Sequence, residues 1–259
     1  MERRMLPYQR WFGTFARGFI SGAPDRDRQA IGLKLRHSQK VRGLSKTLAL
    51  DLKLKEKDVF LAEICGLFHD IGRLPQFATY KTFVDARSDD HARLSVETLK
   101  KEGILNGLAP QEREAVLDAI FIHNKLSIPE DFEGIRLTLA QIVRDADKID
   151  IWRVFDTFYR LGKGAEDINL GLPQGEDISA DVMKDFLEGH IVHLEYVKNQ
   201  LDFMVMRLSW LYDINFKLSL KIIVERNYIE TIIQRLPEGT KREAIRKKIS
   251  QYLQEKLGS

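Results

Sequence analysis

Apolar side chains along this chain recur at intervals of three and four residues, the spacing of one face of an α-helix. The clearest run comprises Ile31, Leu35, Ser38, Val41, Leu44 and Leu48. It predicts a helix over residues 27–52. Segments that alternate between apolar and polar residues are essentially absent, so the sequence predicts an all-α fold.

Capping residues and helix-ending residues predict further helices. These cover residues 59–70, 88–101, 110–123 and 136–160, and the apolar C-terminal third forms more of them over residues 182–257. The segment from Leu74 to Asp89 has no clear period, and Pro75 follows the end of the helix before it. We therefore expect a loop there.

Glycine and proline are concentrated between residues 162 and 181, which is typical of a loop. We interpret this stretch as a linker or a lid over an active site. The expected organisation is a helical core with an N-terminal helix over residues 1–161, this loop over 162–181, and a C-terminal helical extension packed on the core over 182–259.

Composition and charge narrow the class of protein. The 259 residues are 44% hydrophobic, and 41 basic against 38 acidic side chains give a net charge of +3. So small an excess indicates neither a nucleic acid nor a membrane as partner. Arg10 and Arg17 interrupt the apolar N-terminal stretch, so we expect no secretory signal. Since Cys65 is the only cysteine, no internal disulfide can form, which favours the cytoplasm.

Several predicted helices end in side chains that can bind metals. His69-Asp70, His123 and Asp145 each follow an apolar run. Burying an unpaired carboxylate is costly, so such groups are usually paired with cations or bound to a metal. A lone histidine at a helix end more often bonds a backbone carbonyl. The metal interpretation therefore depends on the whole set, which also includes His37 and His91.

In chain order, His37, His69-Asp70 and Asp145 resemble the H…HD…D signature of the HD-domain superfamily of metal-dependent phosphohydrolases. The strings KLRHS at 34–38, FHDIGR at 68–73 and DADK at 145–148 are similar to that family as well. The resemblance covers roughly residues 34–153. It implies an HD-domain helical bundle core with extra N- and C-terminal helices.

The resemblance also implies the ligands. The first metal would be bound by His37, His69, Asp70 and Asp145. Asp70 would bridge to a second metal held by His91 and His123. Imidazole and carboxylate ligands without thiolate suit Mn, Fe, Co, Ni or Zn and do not select one of them.

Three basic residues near these ligands are candidates for binding substrate phosphate. Lys34 lies one helical turn before His37, and Lys148 lies about one turn after Asp145. Arg73 directly follows the HD pair and ranks first, because a guanidinium binds phosphate through two hydrogen bonds. With 41 basic side chains in the chain, simple solvation of each remains the alternative.

The candidate catalytic residues are Asp70, Asp147 and Lys148. Asp147 or Asp150 could orient the attacking water or the ligand histidines. A surface role for Asp147 is the alternative. His190 and His193 share a helix face, but no acid or cysteine cluster accompanies them, so we assign them no metal.

The leading hypothesis is a phosphohydrolase that cleaves a phosphomonoester or phosphodiester by attack of metal-bound hydroxide, with a nucleotide as the substrate class. The chain lacks a GYP motif and has His123-Asn124 where cyclic-dinucleotide phosphodiesterases often have two histidines, which argues against cyclic-di-GMP. Two alternatives stay open: a di-iron oxygenase on the same ligands, and a non-catalytic nucleotide-binding regulatory module. The apolar C-terminal helices are also consistent with a homodimer.

Overall fold

The structure is a computed structural model that describes residues 2–161 and 171–258. Within those ranges the chain is helical and no residue lies in a strand, which confirms the all-α prediction. The chain forms two compact units, Met1–Asp150 and Ile151–Ser259. No helix in the described ranges is long and apolar enough to cross a membrane. Residues 162–170 of the predicted linker lie outside the described residues.

The first unit contains the helices that carry the candidate ligands. They are α1 (Glu2–Ile20), α2 (Asp25–Asp51), α3 (Glu56–Phe68), α4 (Arg73–Tyr80), α5 (His91–Glu102), α6 (Pro110–Ile122) and α7 (Gly134–Leu161), within which the boundary between the units falls. A short 3-10 turn, Asp85–Arg87, lies between α4 and α5. The helices predicted from apolar spacing correspond to α2, α3, α5, α6 and α7, with bounds that differ by three residues or fewer.

Helix α3 is the centre of the first unit. Residues 59–68 are all buried, and α3 packs against α1, α2 and α6. Gly66 lets α2 approach closely, because a Cβ atom at this position would lie 2.8 Å from the Cα atom of Arg42. This contact fixes α2 beside the end of α3. The residues that follow α3 are therefore held next to the side chains of α2.

Helix α4 departs from the prediction, which had a loop from Leu74 to Asp89. Pro75 is the third residue of α4. A proline is tolerated in the first turn of a helix, where backbone N–H groups have no partner within the helix. Pro75 therefore belongs to the start of a helix, and only residues 81–90 form a loop before α5.

The second unit contains the C-terminal helices. They are α8 (Ala180–Glu188), α9 (Gln200–Ser209), α10 (Lys217–Glu225), α11 (Tyr228–Ile233) and α12 (Thr240–Leu257), with 3-10 turns at Leu194–Tyr196 and Trp210–Asp213. Residues 201–209 of α9 are all buried. Arg207 is among them, and its guanidinium lies over the rings of Phe155 and Phe203. Helix α9 is thus the core helix of this unit.

Candidate metal centre

Four histidines from four different helices of the first unit converge in its interior. His37 lies on α2, His69 directly follows α3, His91 is the first residue of α5, and His123 directly follows α6. All four are buried. We call His37 and His69 the first pair and His91 and His123 the second pair. Because the rings come from separate helices, the packing of the helices holds the cluster together.

Within each pair the Nε2 atoms face each other. They lie 3.2 Å apart in the first pair and 3.0 Å apart in the second. Asp70 lies between the pairs, with Oδ2 3.7 Å from His37 Nε2 and Oδ1 3.4 Å from His91 Nε2. Each pair forms, with Asp70, a group whose ligand atoms all lie within 4.8 Å of one another and could hold a metal ion. The two groups share Asp70.

The Nδ1 atoms of His69 and His123 contact backbone carbonyl groups. His69 Nδ1 is 2.9 Å from the oxygen of Gly66, and His123 Nδ1 is 2.6 Å from that of Ile120. A carbonyl oxygen only accepts hydrogen bonds, so each Nδ1 donates its proton. In both rings the Nε2 atom that faces the cluster is left with a lone pair.

The Nδ1 atoms of the other two histidines contact carboxylates. His37 Nδ1 is 2.8 Å from Asp150 Oδ2, and His91 Nδ1 is 2.5 Å from Asp85 Oδ2. An ionised carboxylate also accepts only, so it favours the same Nδ1–H form. The sequence suggested Asp150 as a residue that could orient a ligand histidine, and Asp150 contacts His37, one of the predicted ligands.

This arrangement fits a divalent metal. When both rings of a pair are neutral, their Nε2 lone pairs lie about 3 Å apart and repel each other unless a proton or a metal ion lies between them. Imidazole nitrogen and carboxylate oxygen are ligands that divalent transition metals accept. A histidine ligand that donates its other N–H to a carboxylate or a carbonyl is the usual arrangement at metal sites. The donor atoms and their hydrogen bonds therefore both favour the binding of a divalent metal ion.

Helix α7 contributes Asp147 to the cluster. Asp147 Oδ1 lies 3.0 Å from His37 Nε2 and 3.5 Å from His69 Nε2. The predicted ligand from this helix was Asp145, which is fully buried but belongs to none of the ligand groups found among the described residues. Residues two apart on a helix point in nearly opposite directions, so only one of the two can face the histidines. The geometry favours Asp147 in the role that the sequence suggested for Asp145.

The electrostatic environments of the two pairs differ. Burial opposes a charge on His37, but hydrogen bonds with Asp147 and Asp150 outweigh it and raise the pKa of His37 to about 9. Burial and the neighbouring rings of His91 and His69 lower the pKa of His123 to about 3. The surroundings of the first pair thus favour a positive charge more strongly than those of the second.

The three predicted phosphate contacts lie in different surroundings. Lys34 is partly exposed, and its Nζ donates to Asp70 Oδ2 at 2.9 Å. The Nη1 atom of Arg73 instead lies 2.5 Å from the carbonyl oxygen of Phe83 and 2.7 Å from Asp85 Oδ1. Lys148 is partly buried and follows Asp147 on α7. Burial alone would raise the pKa of Asp70. The positive charges of Lys34 and Arg73 outweigh burial and hold this pKa well below its usual range.

Sequence reasoning missed two residues that support the cluster. Arg144 is buried and donates from Nη1 to the carbonyl oxygens of Ile122 at 3.1 Å and Lys125 at 2.5 Å, on the turn that contains His123. An arginine inside an apolar run was a signal for it, because a buried guanidinium needs acceptors. Asp85 lies in the aperiodic loop before α5, where no pattern marked it.

Comparison with known proteins gives a family match over the region that contains this cluster. The family model described as HD domain matches residues 35–152, a range that contains both histidine pairs, Asp70 and Asp147. Comparisons with curated proteins and with solved structures each found no match. The match confirms the resemblance seen in the sequence: residues 35–152 of this chain form an HD domain.

Proposed function

We propose that this chain is a metal-dependent phosphohydrolase that cleaves a phosphomonoester or a phosphodiester, with a nucleotide as the substrate class. The observation that carries the proposal is the pair of histidine groups that share Asp70 within an HD domain. A shared carboxylate between two ligand groups suits a two-metal site, which stabilises both the attacking and the leaving oxygens of a phosphoryl group. The partner that we propose is accordingly a small phosphate ester.

In this proposal His37 and His69, together with Asp70 and Asp147, would hold the first metal. His91 and His123, together with Asp70, would hold the second. When bound, a metal would lower the pKa of a water ligand to about 7, so that hydroxide would be available at neutral pH. The protein's part is to hold the rings with Nε2 towards the metal and to keep Asp70 ionised beside both pairs.

Lys34 is the strongest candidate for a contact to the substrate phosphate. Its side chain is 23% exposed and its Nζ atom lies 2.9 Å from Asp70 Oδ2, so it combines access to solvent with closeness to the candidate ligands. Arg73 ranks after it, because its Nη1 is already engaged by protein acceptors. We propose Lys148 as a third contact, since it follows Asp147 directly on α7.

The test combines metal content with turnover. We expect one or two transition-metal ions per chain by plasma mass spectrometry, and hydrolysis of phosphomonoesters or phosphodiesters in a panel of nucleotides with added Mn, Co, Ni or Mg. Asp70→Ala should lose both metals and all activity, because both groups share this carboxylate. His193→Ala is the matched control, since His193 is exposed and lies outside the ligand groups of the described chain.

Other outcomes would overturn the proposal in different ways. Two irons with oxygen consumption and no phosphate release would establish the di-iron oxygenase. No bound metal under any loading condition would leave a non-catalytic binding module. Full metal content and turnover in Asp70→Ala would show that the ligand assignment is wrong.

A further inference from the structure

The loop between α4 and α5 brings a carboxylate to the outer side of the second pair. Asp85 is the first residue of the 3-10 turn in this loop, and its Oδ2 lies 2.5 Å from His91 Nδ1. We propose that Asp85 is a positioning residue that holds His91 in the Nδ1–H form, so that the Nε2 lone pair faces His123 and Asp70. The functional meaning of this role rests on the metal centre proposed above.

Each oxygen of Asp85 has a separate partner. Oδ1 accepts hydrogen bonds from Arg73 Nη1 at 2.7 Å and from Gln76 Nε2 at 2.9 Å. Oδ2 is turned towards His91. Both donors to Oδ1 come from α4, so the carboxylate is held from one side by a helix and presents its other oxygen to the ring. This division makes the orientation of the carboxylate specific.

Gln76 fixes the loop that carries Asp85. Its side chain is completely buried, and Nε2 lies 2.9 Å from Ser88 Oγ and 2.8 Å from the carbonyl oxygen of Asp89. One amide group thus contacts both the start and the end of the segment 85–89. The loop conformation, and with it the position of Asp85, depends on α4.

Arg73 therefore has a second possible use besides binding phosphate. Its guanidinium contacts Asp70 through Nε at 3.4 Å and Asp85 through Nη1 at 2.7 Å. It links the carboxylate shared by both ligand groups to the carboxylate that orients His91. Replacing Arg73 should consequently disturb metal binding even in the absence of any substrate.

The decisive variant is Asp85→Asn, which keeps the shape of the side chain. Arg73 and Gln76 both donate, so they will hold the amide oxygen in the place of Oδ1, and the amide NH₂ will face His91. An NH₂ group donates to Nδ1, which forces the ring proton onto Nε2. Asp85→Ala, which offers neither donor nor acceptor, should give a mixture of the two forms.

The measurement is the tautomer of His91 by long-range ¹H–¹⁵N correlation in metal-free protein, with its signals assigned by comparison with His91→Gln. We expect Nδ1–H in the wild type and Nε2–H in Asp85→Asn. In a titration with Co²⁺, the second ion should bind about 10–100-fold more weakly in the variant, the usual cost of losing an outer partner of a metal ligand. The first ion should bind as in the wild type.

Asp89→Asn is the matched control. Asp89 lies in the same loop, but its carboxylate contacts the backbone N–H of Asp90 and the guanidinium of Arg93 and not His91. This variant should leave the His91 tautomer and both metal affinities unchanged. An unchanged tautomer in Asp85→Asn, or a second ion bound as tightly as in the wild type, would overturn the inference. Metal binding without hydrolysis of any phosphate ester would instead overturn only the proposed hydrolase.

Discussion

The two histidine pairs are built on the same plan but are supported by different parts of the first unit. In each pair the rings are 32 residues apart in sequence. One ring of each pair donates Nδ1–H to a backbone carbonyl and the other to an aspartate. For the first pair that aspartate is Asp150, which is 1% exposed on α7, and for the second it is Asp85, which is 35% exposed in a loop.

This difference indicates that the two pairs respond differently to change. The first pair is supported by a buried helix residue and faces an additional carboxylate, Asp147. The second pair depends on the loop before α5 and on the turn after α6. We therefore expect the first pair to bind its metal more tightly. The following predictions test that ranking.

Among the variants that affect the two pairs differently, the largest effect is expected at Asp147, which faces the first pair. Asp147→Ala should remove the metal of the first pair, with a loss of affinity greater than the roughly 100-fold that outer partners cost, and should leave the metal of the second pair. Counting the bound ions in a calorimetric titration with Mn²⁺ checks this.

Asp145→Ala is the control for Asp147→Ala and also decides between the two aspartates. Asp145 is equally part of α7 and is fully buried, so its replacement should cost stability while the number of bound ions stays the same. The reverse result, with metal lost in Asp145→Ala and kept in Asp147→Ala, would restore the ligand first suggested by the sequence.

A smaller effect is expected at Asp150, which accepts a hydrogen bond from His37 Nδ1 in the first pair. Asp150→Ala should weaken the first metal about 10–100-fold, because His37 loses the acceptor that fixes its Nδ1–H form. The second metal should bind normally. Weakening of both metals by the same factor in a Co²⁺ titration would show that the two histidine pairs are not supported separately.

The turn that carries His123 can be disturbed from α7. Arg144→Lys keeps the charge but loses hydrogen bonds to the turn, which should cost about 1–3 kcal/mol of unfolding free energy and weaken mainly the second metal. Urea unfolding and metal titration measure the two effects. Arg207→Lys, which replaces another buried arginine in the second unit, should lower stability without changing either metal affinity. Equal weakening of the metals by both variants would indicate a general effect of destabilisation.

The helices and the positions of His69 and His123 were predictable for a local reason. Apolar spacing places helix faces, and His69 and His123 follow apolar runs directly, so their location at buried helix ends could be inferred. The sequence could not decide between Asp145 and Asp147. The apolar run before them does not determine the rotation of α7 about its axis, and this rotation decides which aspartate faces the histidines. The role proposed for Asp85 is still harder to predict from the sequence. Arg73 and Gln76 fix its position through side-chain contacts, and no repeating pattern in the sequence indicates such contacts.

Pro75 illustrates the same limit within secondary structure. A proline is compatible with the end of one helix and with the first turn of the next. The pattern alone favoured a break, while the structure has α4 beginning at Arg73. The difference matters for the site, because α4 carries both donors that hold Asp85.

The smallest effects are expected from two glycines, one beside each pair, at which a Cβ atom would meet the backbone of another helix. A Cβ atom at Gly66 would lie 2.8 Å from the Cα atom of Arg42 on α2, and one at Gly72 would lie 2.5 Å from the carbonyl oxygen of His91 on α5. Each alanine variant must therefore push a backbone away, at about 1–3 kcal/mol. Gly66→Ala should weaken mainly the first metal and Gly72→Ala mainly the second.

Gly43→Ala provides the matched control for these two variants. Gly43 lies within α2, and a Cβ atom there would meet nothing within 4 Å. Alanine is favoured over glycine inside a helix, so this variant should gain about 0.5–1 kcal/mol in thermal or urea unfolding and leave both metals unchanged. If Gly66→Ala and Gly72→Ala lower stability but affect the two metals alike, helix spacing acts on the cluster as a whole. A selective loss in each would show that the pairs are positioned by separate helix contacts.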